Sequence, residues 1–136
     1  MPGHVPLHAK LGAPFTSSSE QLRAALACAV SLREQLRAQM VAGQEEMDWL
    51  VYAAYGLLAA DHPAAQIDAE PAPLDQAQRP FRLWEAAEGD FARAVKLIPA
   101  DWPKSRRALW EARLAAIRDN EHVRRIEQPV YKRRWD

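Results

Sequence analysis

Positions 44–58 read QEEMDWLVYAAYGLL. Wound as a helix, this stretch puts Met47, Leu50, Val51, Ala54 and Leu58 on one stripe, while Trp49, Tyr52 and Tyr55 cover much of the remaining circumference. A helix that is apolar nearly all round must be wrapped by other elements. The expected core is therefore Met47, Trp49, Leu50, Val51, Tyr52, Tyr55 and Leu58, with neighbouring helices packed on it. At 136 residues and 49% hydrophobic composition, the chain suffices for one domain with a modest core.

The segments before this helix set its surroundings. Residues 1–16 hold Pro2, Pro6, Pro14, Gly3 and Gly12, a density that forbids regular helix and predicts an irregular arm. His4 and His8 are four apart, a ligand spacing only on a helix, and no carboxylate or cysteine cluster lies beside them. Hydroxyls at 16–19, followed by Glu20, are close to a capping-box arrangement and predict a helix start. The helix continues to about Ala42 with a stripe of Leu22, Leu26, Ala29, Leu36 and Met40, interrupted by Arg33. Such a stripe suits packing inside the domain or self-association. Cys28, the sole cysteine, reads as a buried or half-buried apolar residue and excludes an intramolecular disulfide. Gly43 is either a left-handed cap, giving a helical hairpin, or a weak point in one kinked rod. The acids Glu45, Glu46 and Asp48 suit the first turn of a new helix and tip the reading towards a break.

Gly56 and then Asp61, His62 and Pro63 stop the helix around Ala60. Residues 61–80, rich in Ala, Pro, Asp and Gln, read as a linker. Residues 81–136 follow as the last part of a single domain: short helices over about 82–87 and 90–97, a corner with Trp102 plugging the core edge, and an amphipathic helix over 104–119. In that helix Leu109, Ala112, Ala116 and, to the side, Ile117 face inward, with Arg106, Arg107, Arg113 and Arg118 outward or at the margins. The closing segment, broken by Pro129, reads as an extended, strand-like tail or a clamp laid across another surface. The fold class is all-α.

The 18 basic and 18 acidic residues balance, so no global field draws the chain to nucleic acid. Locally the first 43 residues carry net +2, residues 44–101 net −7, and residues 102–136 net +5. Lys132, Arg133 and Arg134, next to Trp135 and joined to Arg124, Arg125, Lys104, Arg106 and Arg107, form the kind of cluster that a phosphate backbone attracts. A solvated basic face answering the acidic middle accounts for it equally well. Glycine-rich phosphate loops, nucleophile elbows and ligand clusters are absent, so no catalytic residue, metal or cofactor is expected. Glu45 and Glu46 are adjacent, point to different helix faces and cannot form a dyad. No apolar run approaches a membrane span or a signal peptide, and the expected location is the cytoplasm.

QEEMDWLVYAAYGLL, and downstream ALWEARLAAIRDNEHVRRIEQPVYKRRWD, resemble two elements near the end of large adenine-specific DNA methyltransferases of restriction–modification and of BREX or phage-growth-limitation defence systems. RPFRLWEAA and IPADWP sit where that family has comparable pieces, and the resemblance covers about residues 36–136. The family's catalytic domain carries a glycine-rich S-adenosylmethionine loop and an Asn-Pro-Pro-Tyr motif that holds the flipped adenine. This chain contains neither. The resemblance thus implies a helical region following the catalytic domain, which works in target recognition and assembly. A fragment, a split subunit and a remnant gene product all fit it. The expected function is a non-catalytic accessory segment that partners a separate methyltransferase chain and touches the DNA backbone. The alternative is a helical interaction module, pairing with itself or with another defence component, without DNA binding.

Overall fold

In the computed structural model, which describes residues 18–133 and 135, helix α1 runs without interruption over Ser18–Ala54. The remaining helices are α2 (Pro80–Ala86), α3 (Phe91–Lys96), α4 (Lys104–Asp119) and α5 (Glu121–Ile126), with 3-10 turns at Pro63–Ala65, Gln76–Gln78 and Pro129–Tyr131. No strand occurs among the described residues. The arm at 1–16, with His4 and His8, and the basic residue Arg134 lie outside them.

The chain divides into two units, Met1–Leu36 and Arg37–Asp136. In the first, every described residue is an exposed helical residue. Within this unit Leu22, Leu26, Ala29 and Leu36 are exposed, and Cys28 is exposed rather than buried.

In the second unit, of the two alternatives at Gly43, the helix that carries straight on is the one that forms, and the hairpin is not. Gly43 is an ordinary helical residue, and Glu45, Glu46 and Asp48 lie within α1 instead of opening a new helix. What those acids meet from other elements explains their place, as described below. The helix ends earlier than expected, at Ala54. Gly56 adopts φ +76° and its N–H donates to Ala53 O, while Leu57 N–H donates to Tyr52 O, the paired bonds of a glycine-terminated helix.

Only one face of this part of α1 is covered. Val41, Ala42, Glu45, Glu46, Trp49 and Tyr52 are buried. Met47, Leu50, Val51 and Tyr55, expected in the core, are 58, 50, 42 and 82% exposed, because every covering element packs on the Trp49 side and none on the opposite one. Trp49, Tyr52 and Leu58 do lie in the core, with Leu74, Leu83, Ala94, Trp110, Leu114, Ile117 and Val123.

The stretch at 61–80 is not a free linker. Leu74 N–H donates to Ala38 O (3.0 Å), Gln39 Nε2 to Pro71 O (2.9 Å), and Ala64, Leu74 and Arg79 are buried. Proline is tolerated here because the strap follows the α1 surface through side chains and few ladder bonds. α4 is the hub of this unit, touching the first 3-10 turn, α2, α3 and α5. Trp102 and Trp110 meet edge to face with centroids 5.2 Å apart.

The closing segment is helical, not extended. Asn120 terminates α4 and its Oδ1 accepts from His122 N and Val123 N, which starts α5 at once. None of the described helices is long and apolar enough to cross a membrane.

Candidate functional site

The three acids on one turn of α1 reach two separate buried networks, as their adjacent positions require. Glu46 meets Arg113 of α4: Arg113 Nη1 and Nη2 donate to Glu46 Oε2 (2.5 Å) and Oε1 (3.0 Å), and its Nε donates to Ala64 O (3.1 Å). Glu46 Oε1 also accepts from Asp68 N (2.8 Å), which fixes the strap. The guanidinium lies over the rings of Trp49 and Trp110, 5.4 and 5.2 Å from their centroids. The sequence reading puts Arg113 outward or at the margin, whereas it is fully buried. Its spacing of three from Trp110 and four from Ile117, both buried, is the signal that it belongs on the inner face.

Glu45, fully buried, accepts from Trp49 Nε1 (2.6 Å) and from Arg79 Nε (2.8 Å). Arg79 continues to Asp48 Oδ2 (3.1 Å) and to the carbonyl of Arg133 (2.6 Å). Lys132 Nζ donates to Asp48 Oδ2 (2.7 Å), to Tyr52 Oη (3.3 Å) and to Glu127 Oε2, which also accepts from Tyr52 Oη (2.6 Å). Three carboxylates thus surround two cations and a phenol. No sequence signal marks Arg79 or Glu127 beforehand, because partners 34 and 75 residues away in the chain fix them.

The charge states follow from this packing. Burial raises the Glu45 carboxyl, but Lys132, Arg79 and Arg113 outweigh it and hold the group below its ordinary value. For Glu127 burial prevails over the favourable Lys132, helped by the like charge of Glu45, and its pKa is raised. Burial opposes the charged Lys132, yet Glu45, Glu127 and Asp48 together raise its pKa. Burial and Glu127 keep Tyr52 a neutral phenol. A lysine held this firmly as ammonium is neither a base nor a nucleophile. The network fastens the tail to α1; it offers no reacting group to a substrate.

The residues expected to hold nucleic acid are therefore not one patch. Lys132 is 7% exposed and spent on carboxylates, which corrects its assignment to a phosphate-facing cluster. Arg106 is half-buried over Trp102 and donates to Ala72 O and Pro73 O, so its guanidinium ties the strap down, and burial lowers its pKa. Lys104, Arg107, Arg124, Arg125 and Arg133 are exposed. Arg107 donates to Ala100 O and Arg124 to Ile117 O and Arg118 O.

Hollows among the described residues include two lined mainly by apolar groups. One, of about 210 Å³, lies between Ala42, Ile67, Arg106, Leu109 and Trp110; of its two acids, Glu46 is paired with Arg113 and Asp68 accepts from Glu70 N. The other, of about 360 Å³, is bounded by Val95, Ile98, Lys104, Arg107 and Glu111. No group of three metal-ligating side chains occurs among the described residues.

The family model described as "Domain of unknown function (DUF7008)" matches residues 40–136. The sequence is also 34% identical over 116 residues to the adenine-specific methyltransferase PglX of Streptomyces coelicolor, a match that covers 75% of this chain and 10% of the relative. The chain thus spans about a tenth of the length of that relative. No solved structure matches.

Proposed function

The chain belongs to the DUF7008 domain family, and we propose that it is a non-catalytic helical assembly module of an adenine-specific DNA methyltransferase system for restriction or phage defence. Its setting is the cytoplasm, and its partner is the methyltransferase body, as a separate chain. The observation that carries this reading is the open face of α1 within residues 37–136. There Met47, Leu50, Val51 and Tyr55 lie exposed opposite the buried Trp49 side. A contiguous apolar face of this kind marks a surface that another protein covers. The relative holds the matching region within a chain about ten times as long, and the remainder of such a chain is the occupant the reading names. The buried networks support the same role, because they fasten the strap and the tail to the Trp49 side of α1 and leave the opposite side open.

A photo-reactive residue placed at Leu50 tests the reading. It is mixed with a methyltransferase of the PglX kind shortened by its matching tenth. Cross-linking is expected from position 50 and not from the exposed Glu111 of α4. Equal cross-linking from both positions, or none from either, would reject the docking face.

Five of the exposed cations, Lys104, Arg107, Arg124, Arg125 and Arg133, support a second reading in which the docked module also touches DNA phosphates. That reading predicts salt-sensitive, sequence-indifferent duplex binding, abolished when all five become alanine. Binding unchanged by those substitutions removes it.

A further inference from the structure

In the N-terminal unit, Leu22, Leu26, Ala29, Arg33 and Leu36 follow one another at spacings of four, three, four and three, the period at which one helix keeps a single seam towards another. Leu22, Leu26 and Leu36 are 61, 58 and 56% exposed, and Val30 and Leu32, which flank the seam on its two sides, are 52 and 55% exposed. Most helical stability in proteins comes from packing an apolar face, and this seam gains that stability only when covered.

The charges say what covers it. Arg33 sits in the seam and Arg23 beside it at a flanking position, and neither has an ion pair among the described residues. The acids described in this unit, Glu20 and Glu34, fall on positions that point away from the seam. We propose that residues 22–36 form half of a two-helix coiled coil whose other half is a partner helix with an apolar heptad seam and Glu or Asp at the flanking positions. Those carboxylates would neutralise Arg23 and Arg33 as the leucines are buried. A second copy of this chain fits less well. In either orientation it brings arginines and no carboxylate to the seam, so Arg33 would lose water without gaining a counter-charge. This inference is independent of the docking face at Met47 and Leu50, which lies in the other unit.

The test uses the full chain and two fluorescent synthetic peptides of about three heptads with leucine seams, one flanked by glutamate and one by lysine. Fluorescence anisotropy is expected to show the glutamate peptide binding at least about tenfold tighter. The double substitution R23E/R33E, at exposed positions, should reverse that order, and Leu26→Glu should abolish binding of both. Sedimentation of the chain alone should give a monomer at the same concentrations. Equal binding of the two peptides, binding of neither, an order unchanged by R23E/R33E, or dimerisation of the chain alone would overturn the proposal.

Discussion

Replacing Arg113 by methionine keeps most of the side-chain volume and removes the guanidinium. Arg113 is fully buried, and the substitution takes two hydrogen bonds from Glu46 and one from Ala64 O. Glu46, 5% exposed, is left with Asp68 N as its remaining donor. Stranding one member of a buried ion pair costs about 3–5 kcal/mol. The two ring contacts of Arg113 are part of that loss. Domains of this size are stable by about 5–15 kcal/mol, so the variant should be weakened severely while remaining measurable. With a urea slope of about 2 kcal/mol per molar, the midpoint should fall by about 2 M. Adding Glu46→Gln removes the stranded charge, and the double variant should recover about 1–3 kcal/mol relative to the sum of the singles. Urea unfolding followed by tryptophan fluorescence measures all four proteins. A single-variant loss below about 1 kcal/mol, or singles that simply add, would refute the view that this pair holds strap, α1 and α4 together.

Three further outcomes follow from the same structure. Lys132 is raised above its unfolded value, so its contribution to stability is complete below about pH 10.4 and is lost as pH rises through the folded value. Alkaline urea titrations should show that loss, and Lys132→Met should reduce the pH dependence, leaving the share of Tyr52, whose pKa is likewise raised, while lowering stability at neutral pH. Gly43→Ala should raise the urea midpoint by an amount equivalent to about 0.5–1 kcal/mol, since Gly43 is helical and an added Cβ there meets nothing within 4 Å; a loss of stability would argue for a turn at that position. Gly56→Ala should cost about 1 kcal/mol in the same assay, because φ is +76° and space is open, so only backbone strain acts. An unchanged midpoint would contradict the capping role.

Legibility divided along physical lines. α4 was readable to its ends because its apolar period and the Pro103 and Asn120 boundaries are local signals. The short helices α2 and α3 were readable for the same reason. Local signals misled at Gly43, where carboxylates that suit a helix start were instead needed inside a helix to meet Arg79, Arg113 and Lys132. Apolar content alone overstated the core. Met47 and Leu50 look as buried in sequence as Trp49, and what separates them is whether a second layer covers their face. The basic tail misled in the opposite sense, since nothing within KRRW shows that Lys132 turns inward to Asp48 and Glu127. The stretches that carried the family resemblance are the ones that meet here: QEEMDW supplies Glu45, Glu46 and Asp48, Arg79 stands immediately before PFRLWEAA, and EQPVYK supplies Glu127 and Lys132. Their residue types follow from the two buried networks, Glu46 with Arg113 in one and Glu45, Asp48, Arg79, Glu127 and Lys132 in the other.

The most direct measurement is a calorimetric titration of the chain into a PglX-type methyltransferase shortened by its matching tenth. Three versions are compared: the unaltered chain, M47E/L50E, and the variant with Lys104, Arg107, Arg124, Arg125 and Arg133 replaced by alanine. The account predicts binding for the first and third and its loss in the second. Binding that survives M47E/L50E and vanishes with the cations would contradict it.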